Sequence, residues 1–435
     1  MARICVVGTG YVGLVSGACF ADFGHDVWCV DINAERIESL KRGAVPFFEP
    51  GLENLVARNH GEGRLHFTTE LSEGVAPADV VMIAVQTPPR ENGEADLQYV
   101  MQVGRQLAAL LQPGEYKVVC TKSTVPVGTA KEVEKIIREN AVDRAEFDVA
   151  SNPEFLREGS SIEDFMRPDR VVIGTSTERA ERVMRELYRP LFLLETPVVC
   201  TDLESSELVK YASNAFLAVK ISYINEIAAL CEMVGAKVDV VARAMGLDGR
   251  IGRKFLHAGL GFGGSCLPKD TKAIVQMGVQ SGVPMRMISA SMDVNDELVD
   301  RALAKAEAHA GSLDGKRVAL LGLAFKPNTD DVREAPALRL VPGLRERGAT
   351  VVACDPEATA NFLAHIGDLE LCDGPYECAQ GADVVMLVTE WNPYRELDLE
   401  RMLQAMRGNT FIDCRNVYAR ERLESLGFQY DCFGR

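Results

Sequence analysis

Short, almost unbroken apolar runs alternate with stretches of helical periodicity through the first 200 residues. The runs are RICVVG (3–8), DVWCVD (26–31), DVVMIAV (79–85), KVVCT (117–121), DVAS (148–151), RVVIG (170–174) and PVVC (197–200). A strand with one wet face would alternate polar and apolar positions. Runs this continuous suit strands covered on both faces, and their alternation with helices predicts a mostly parallel, doubly wound sheet. The texture then changes. Residues 202–234, DLESSELVKYASNAFLAVKISYINEIAALCEMV, hold neither Gly nor Pro, and apolar side chains recur at three- and four-residue steps through Leu208, Tyr211, Ala215, Ala218 and Ile221. This predicts one helix of roughly 50 Å, long enough to bridge two domains and offer a face to a second subunit. More helical sequence runs to residue 310, and a second alternation follows: GKRVALLG (315–322), a helix near 334–347, ATVVACD (349–355), ADVVMLV (382–388) and NTFIDC (409–414). The expected fold is α/β, with two doubly wound, Rossmann-like domains joined by a long central helix. The boundaries fall at 1–201, 202–311 and 312–435, with SLDG (312–315) marking the last.

Length agrees, since 435 residues exceed what one hydrophobic core serves. A net charge of −16 argues against nucleic acid or acidic membranes as partners, though it leaves room for local basic pockets. The start, MARICVVGTG, reads as a strand and a glycine turn rather than an export signal. No apolar run approaches the roughly 20 residues that span a bilayer. The 12 cysteines include no C-x-x-C pair and no histidines at zinc-finger spacing, so no metal is expected. Reduced thiols and a cytoplasmic chain are the expectation.

Gly8, Gly10 and Gly13 form G-x-G-x-x-G between a predicted strand and a predicted helix. The first permits a tight turn, the second lets a pyrophosphate approach bare backbone at a helix N-terminus, and the third allows close helix–strand packing. Asp31 ends the next strand, 18 residues beyond Gly13. Its carboxylate suits the hydroxyls of an adenosine ribose and repels a 2′-phosphate, which favours NAD over NADP. Arg36 could contact a phosphate, cover the adenine or pair with an acid. The second α/β region lacks this fingerprint: Phe325 and Lys326 follow Gly322 where a pyrophosphate would need bare backbone. Lys326, Arg333 and Arg415 each follow a predicted strand, at the end where open α/β sheets bind ligands; ordinary surface charge is the alternative.

Lys210 and Asn214 share a face of the long helix, where they need partners or a ligand. SNPEFLREGS (151–160), with Glu154 and Glu158, and TKSTVPVGT (121–129), with Thr124, both leave strands at the C-terminal edge of the first sheet. GFGGSCLPKD (261–270) sets Cys266 behind glycines and before Pro268, Lys269 and Asp270. A thiolate is favoured by a nearby cation or a helix N-terminus, so Cys266 is a candidate nucleophile; a hinge loop with an incidental cysteine is the alternative.

Together GTGYVGL, FFEPGLENLV, STVPVGT, SNPEFLREGS, ELVKYASNAFLAVKISYINEIA, GLDGRIGRKFLHAGLGFGGSCLPKD and GLAFKPNTDDVREAP span the chain in order. In these motifs it resembles the UDP-glucose dehydrogenase family of NAD-dependent nucleotide-sugar 6-dehydrogenases. The resemblance implies a cofactor domain over 1–201, a central dimerisation region with the cysteine loop over 202–311, and a nucleotide-sugar domain over 312–435. It implies four-electron oxidation of the C6 alcohol of UDP-glucose through a thiohemiacetal and a thioester on Cys266. Lys210 and Asn214 would hold the C6 oxyanion, while Asp270, Glu154 and Thr124 would handle water and protons. The first-step base is left open between a lysine and water relayed to Asp270. Tyr11, Val12, Thr87, Thr124, Glu158, Lys269 and Arg333 would join Gly8, Gly10, Gly13, Asp31 and Arg36 at the cofactor. Phe155, Leu156, Arg157, Phe255, Phe262, Gly263, Lys326 and Arg415 would surround the sugar nucleotide, and Arg250 would reach a partner subunit's site, so a homodimer or larger homo-oligomer is expected. Gln86 stands where the family has a small residue. Leu267 replaces the Phe of UDP-glucose enzymes, which keeps GDP-mannose or a UDP-N-acetylhexosamine as alternative substrates.

Overall fold

A computed structural model describes residues 1–142 and 145–435. They form two compact units, Met1–Ser213 and Asn214–Arg435. The first holds β1 (Arg3–Val7), β2 (Asp26–Val30), β3 (Leu65–Thr68), β4 (Val80–Ile83), β5 (Tyr116–Thr121), β6 (Glu146–Ser151), β7 (Val171–Thr175) and β8 (Val198–Thr201), in the order β3-β2-β1-β4-β5-β6-β7-β8. Neighbours are parallel except β6 and β7, which run antiparallel. In β1, Ile4 and Val6 join one apolar cluster while Cys5 and Val7 join another. Successive strand side chains point to opposite faces, so a run apolar at every position is a strand buried on both. The order reverses between β1 and β4, and the crevice at their C-terminal ends is the topological switch point where such sheets take ligands.

The second unit holds β9 (Arg317–Leu321), β10 (Thr350–Cys354), β11 (Glu370–Leu371), β12 (Val384–Leu387), β13 (Thr410–Asp413) and β14 (Gln429–Cys432), in the order β11-β10-β9-β12-β13-β14, all parallel. Leu298, Val299, Ala302 and Leu303 of the helix Arg286–Ala310 share its core with the strands.

The α/β expectation, with two doubly wound sheets and a long helix, is borne out. That helix runs unbroken over Leu203–Val234. Tyr211, Ala215, Ala218, Ile224 and Ala228 are buried, whereas Leu208 is 45% exposed despite its place in the apolar period. Phe216, Tyr223 and Leu230, also exposed, recur at seven-residue steps and so lie along one stripe. Sequence reading missed β3, β11 and β14, and it put Pro268 first in a helix that begins at Leu267. Among the described residues no helix is long and apolar enough to cross a membrane.

Candidate active site

In the first unit the turn after β1 is built for close approach. Gly8 has φ +105°, and a Cβ there would lie 2.7 Å from the Ala84 carbonyl oxygen. A Cβ on Gly13 would lie 1.9 Å from the Gly8 oxygen, so both must be glycine. Gly10, by contrast, would meet nothing within 4 Å, which leaves its backbone open at the N-terminus of the helix Tyr11–Asp22 that carries Val12. Asp31 Oδ2 accepts from the Thr9 N–H and hydroxyl, each at 2.8 Å, while Oδ1, among the described residues, accepts only the Asn33 N–H, at 3.0 Å. Oδ1 therefore keeps a lone pair for a ribose hydroxyl. Burial raises the Asp31 pKa, but the bonds from Asn33 and Thr9 and the charge of Arg36 outweigh it, leaving the carboxyl below its usual range. Arg36 takes one of its three expected roles: it pairs with Asp31 at 3.4 Å. The Thr87 hydroxyl donates to the Thr124 carbonyl at 2.9 Å, tying the loops after β4 and β5. Gln86 is exposed.

The loop after β6 carries the acids. Glu154 and Lys210 form a buried ion pair at 2.8 Å, each side chain about 4% exposed. The second Glu154 oxygen accepts the Leu156 N–H at 2.5 Å, which fixes the carboxylate's angle. The Phe155 ring lies 5.5 Å from Lys210 Nζ and stacks under Arg170, whose guanidinium carbon is 3.4 Å from the ring centroid. Leu156 is half-buried and Glu158 buried. Arg157 is bound to Asp164 through its side chain and its own N–H.

In the second unit the Asn214 amide donates to Asp270 Oδ2 at 2.7 Å, and Asp270 Oδ1 pairs with Lys269 at 2.8 Å. Asp270 is 1% exposed, so an amide and a cation compensate a carboxylate taken out of water. Cys266, half-buried, caps the N-terminus of the helix Leu267–Gln280, where the helix dipole favours an anion; its sulfur is 3.6 Å from the Ser265 hydroxyl.

The backbone before Cys266 is clamped from three directions. Asn295 accepts the Phe262 N–H at 2.8 Å and donates back to its carbonyl at 3.2 Å. Gly264 donates to the Arg333 carbonyl at 2.8 Å. Arg415 donates to the carbonyls of Val388 (2.7 Å), Gly261 (3.2 Å) and Phe325 (3.4 Å) and lies 3.3 Å from Glu390. Gly263 admits no side chain, since its Cβ would sit 2.3 Å from the Glu334 carbonyl oxygen. Lys326 Nζ lies 5.3 Å from the Phe325 ring centroid. Phe255 is half-buried at φ 65°, Arg333 grips Asp331 at 2.7 Å, and Arg250, 90% exposed, grips Asp248 at 2.6 Å.

The second sheet's counterpart of Asp31 is Asp355, after β10. It accepts from the N–H groups of Leu323, Ala324, Glu357 and Ala358 and from the Trp391 indole. Five donors saturate a carboxylate with about four lone-pair sites, so none remains for a ribose. The first turn fits a dinucleotide; the second does not.

Models of three domains match the chain: the NAD binding domain of the UDP-glucose/GDP-mannose dehydrogenase family over residues 2–192, its central domain over 204–297 and its UDP binding domain over 319–420. The chain belongs to that family. It is an NAD-dependent oxidoreductase, in line with the open turn at Gly10 and the free lone pair of Asp31. Over 438 aligned residues it is 52% identical to UDP-glucose 6-dehydrogenase of Rhizobium meliloti (strain 1021), covering 100% of this chain and 99% of that protein. It is 45% identical over 436 residues to a UDP-glucose 6-dehydrogenase of Bacillus subtilis (strain 168), covering 100% of this chain and 94% of that one. A solved UDP-glucose dehydrogenase from Pyrobaculum islandicum superposes with a TM-score of 0.90 at 42% identity, covering 96% of this chain and 95% of that one.

Four residues that hold these loops escaped sequence reading: Glu49, Lys122, Asn295 and Asp355. Glu49 lies inside FFEPGLENLV, a motif with no chemistry read into it, and Lys122 lies inside TKSTVPVGT. Nothing in the residue types of Glu49 and Lys122 announces that they are buried.

Proposed function

We propose that the chain oxidises the C6 alcohol of UDP-glucose to a carboxylate, giving UDP-glucuronate. The observation that carries this is a pair of buried polar groups four residues apart on one helix, each held by its own carboxylate: Lys210 by Glu154 and Asn214 by Asp270. A cation and an amide fixed in this way suit an oxyanion that develops at C6. NAD, when bound, supplies a two-electron hydride acceptor, and two in succession account for four electrons. Cys266 adds through sulfur to the C6 aldehyde, a proton passing to the oxygen to give a thiohemiacetal; loss of a hydride from C6 and of the hydroxyl proton to water turns this into a thioester. Water, handled by Glu154, Asp270 and Thr124, then cleaves the C–S bond, releasing the carboxylate and restoring the thiol. The first oxidation needs a base, for which Lys210 and an Asp270-bound water are the two candidates.

The match of residues 319–420 to a UDP binding domain and the full-length likeness to UDP-glucose enzymes support the substrate. Leu267, beside the nucleophile, keeps GDP-mannose or a UDP-N-acetylhexosamine as a second reading by the same chemistry. The three-part division, a cytoplasmic location, and a homodimer or larger assembly in which Arg250 serves the partner belong to the same proposal; the exposed stripe of Phe216, Tyr223 and Leu230 supports self-association.

Incubation with UDP-glucose, GDP-mannose and UDP-N-acetylglucosamine, with NADH counted per sugar consumed, tests the reading. Two NADH per UDP-glucose are expected, and no carboxylate product from Cys266→Ala. One NADH per sugar would sink the thioester, and equal activity of the two proteins would remove Cys266 as nucleophile.

A further inference from the structure

Glu49 is a carboxylate that the proposed chemistry leaves idle, yet it is 5% exposed and carries three hydrogen bonds. Oε2 accepts from the Tyr11 hydroxyl and from the Gly159 N–H at 2.5 Å; Oε1 accepts the Ser161 N–H at 2.8 Å. The donors come from two places. Tyr11 opens the helix at the cofactor turn, directly after Gly10. Gly159 lies at the end of the loop that begins at Asn152 and carries Glu154 and Glu158, and Ser161 opens the helix Ser161–Met166 that follows it. Burial and the bond to Glu49 push the Tyr11 phenol pKa up, so the hydroxyl stays a donor. The Phe47 ring, two residues before Glu49, packs on Tyr11 with centroids 5.1 Å apart.

A buried anion needs compensation, and here backbone and phenol donors supply it. Because those donors belong to separate segments, the carboxylate fixes one segment against the other. Glu154 and Glu158 lie between the loop's two anchors, the Asn152 end and the Glu49 end. We propose that Glu49 is a positioning residue, coupling the cofactor turn through Tyr11 to the loop that presents Glu154 and Glu158. NAD bound at the turn then steadies that loop, and the loop's order favours NAD. The coupling rests on the proposed function only for the role it gives Glu154.

The test uses Glu49→Ala, Glu49→Gln and Tyr11→Phe in the full chain. Gln keeps an oxygen for Tyr11 and Gly159 but turns an amide nitrogen toward the Ser161 N–H. Loss of kcat/KM is expected in the order Ala, Gln, wild type, with Glu49→Ala down by about tenfold or more. Tyr11→Phe should add almost nothing in the Glu49→Ala background, since its lost bond ends on Glu49. A cavity of about 340 Å³ beside Glu49, lined by Pro50, Gly159, Ser160 and Met166, lets water reach the exposed amides, so the alanine variant can fold.

Hydrogen exchange supplies a readout independent of the reaction. NAD should slow exchange at Gly159 and Ser161 in the wild type but not in Glu49→Ala, even when that variant is saturated with NAD. Protection that persists in Glu49→Ala overturns the coupling, as does a variant that loses thermal stability while kcat and both KM values stay unchanged. A wild type that makes no acid from UDP-glucose defeats the proposed function and leaves the exchange result to judge Glu49.

Discussion

Replacing Lys122 by methionine removes a charge and keeps a long apolar stem. Lys122 follows β5 and is 2% exposed. Its hydrogen-bond partners are neutral: Asn152 Oδ1 at 3.0 Å, the Tyr188 hydroxyl at 3.4 Å and the Asn152 carbonyl at 3.5 Å. Burial pushes the ammonium pKa down to about 8 from 10.5; the Lys210 charge adds to the fall, and Cys120 and Glu154 oppose it. That drop corresponds to about 3 kcal/mol by which folding disfavours the proton. Below about pH 8 both states hold the proton, and the wild type bears the whole cost. From about pH 8 to 10.5 the unfolded chain holds more of it than the folded one, so this group's contribution to stability rises with pH. Other titrating groups, including the buried cysteines, are common to both proteins and cancel in the difference. The variant loses its bonds to Asn152, about 1 kcal/mol, although the Tyr188 hydroxyl still donates to Asn152 Oδ1. Lys122→Met should therefore be the more stable protein at pH 7, by about 2 kcal/mol, and the less stable by about 1 kcal/mol near pH 10.5. The chain has 2 tryptophans, Trp28 in the first unit and Trp391 in the second. Urea unfolding followed by Trp28 fluorescence in a Trp391→Phe background reads the first unit alone. A stability gap that does not change between pH 7 and pH 10.5 would refute the reasoning.

Two further substitutions probe the two units separately. Asp31→Asn removes the charge that repels a 2′-phosphate and releases Arg36 to meet one; KM for NAD should rise and that for NADP fall, shifting the ratio by about tenfold or more. An unchanged ratio would mean that Asp31 does not face the ribose. Gly264→Ala places a Cβ 2.7 Å from the Phe325 ring at φ +81°. It should lower both Tm and kcat, and Phe325→Leu should restore part of each; Gly263→Ala, which meets the Glu334 backbone instead, should gain nothing from the same change.

What could be read from the sequence, and what could not, divides along physical lines. Interior strands such as β1 and β4 announce themselves because burial on both faces demands unbroken apolar runs. The three strands missed, β3 (LHFT), β11 (EL) and β14 (QYDC), are all edges, where a strand can be short and partly polar. The candidate site splits in the same way. Gly8 and Gly13 are legible because backbone sterics leave one residue type. Lys210 with Glu154 and Asn214 with Asp270 are legible as candidates but not as partners, since each pair is joined across 56 residues. Burial of Glu49 and Lys122 leaves no mark in the sequence, because residue types that favour water enter the interior only when specific tertiary donors or acceptors receive them.

The two aspartates that follow the second strand of their respective sheets carry the argument furthest. Asp31 and Asp355 hold the same place in the same strand order, and residue type cannot tell them apart. What separates them is the number of donors each fold supplies. Asp31 Oδ1 keeps a lone pair after Asn33 is satisfied, whereas five donors saturate Asp355. A carboxylate at this position is open to a further hydroxyl only if its own turn leaves it incomplete, so of two doubly wound sheets in one chain the first suits a dinucleotide and the second does not.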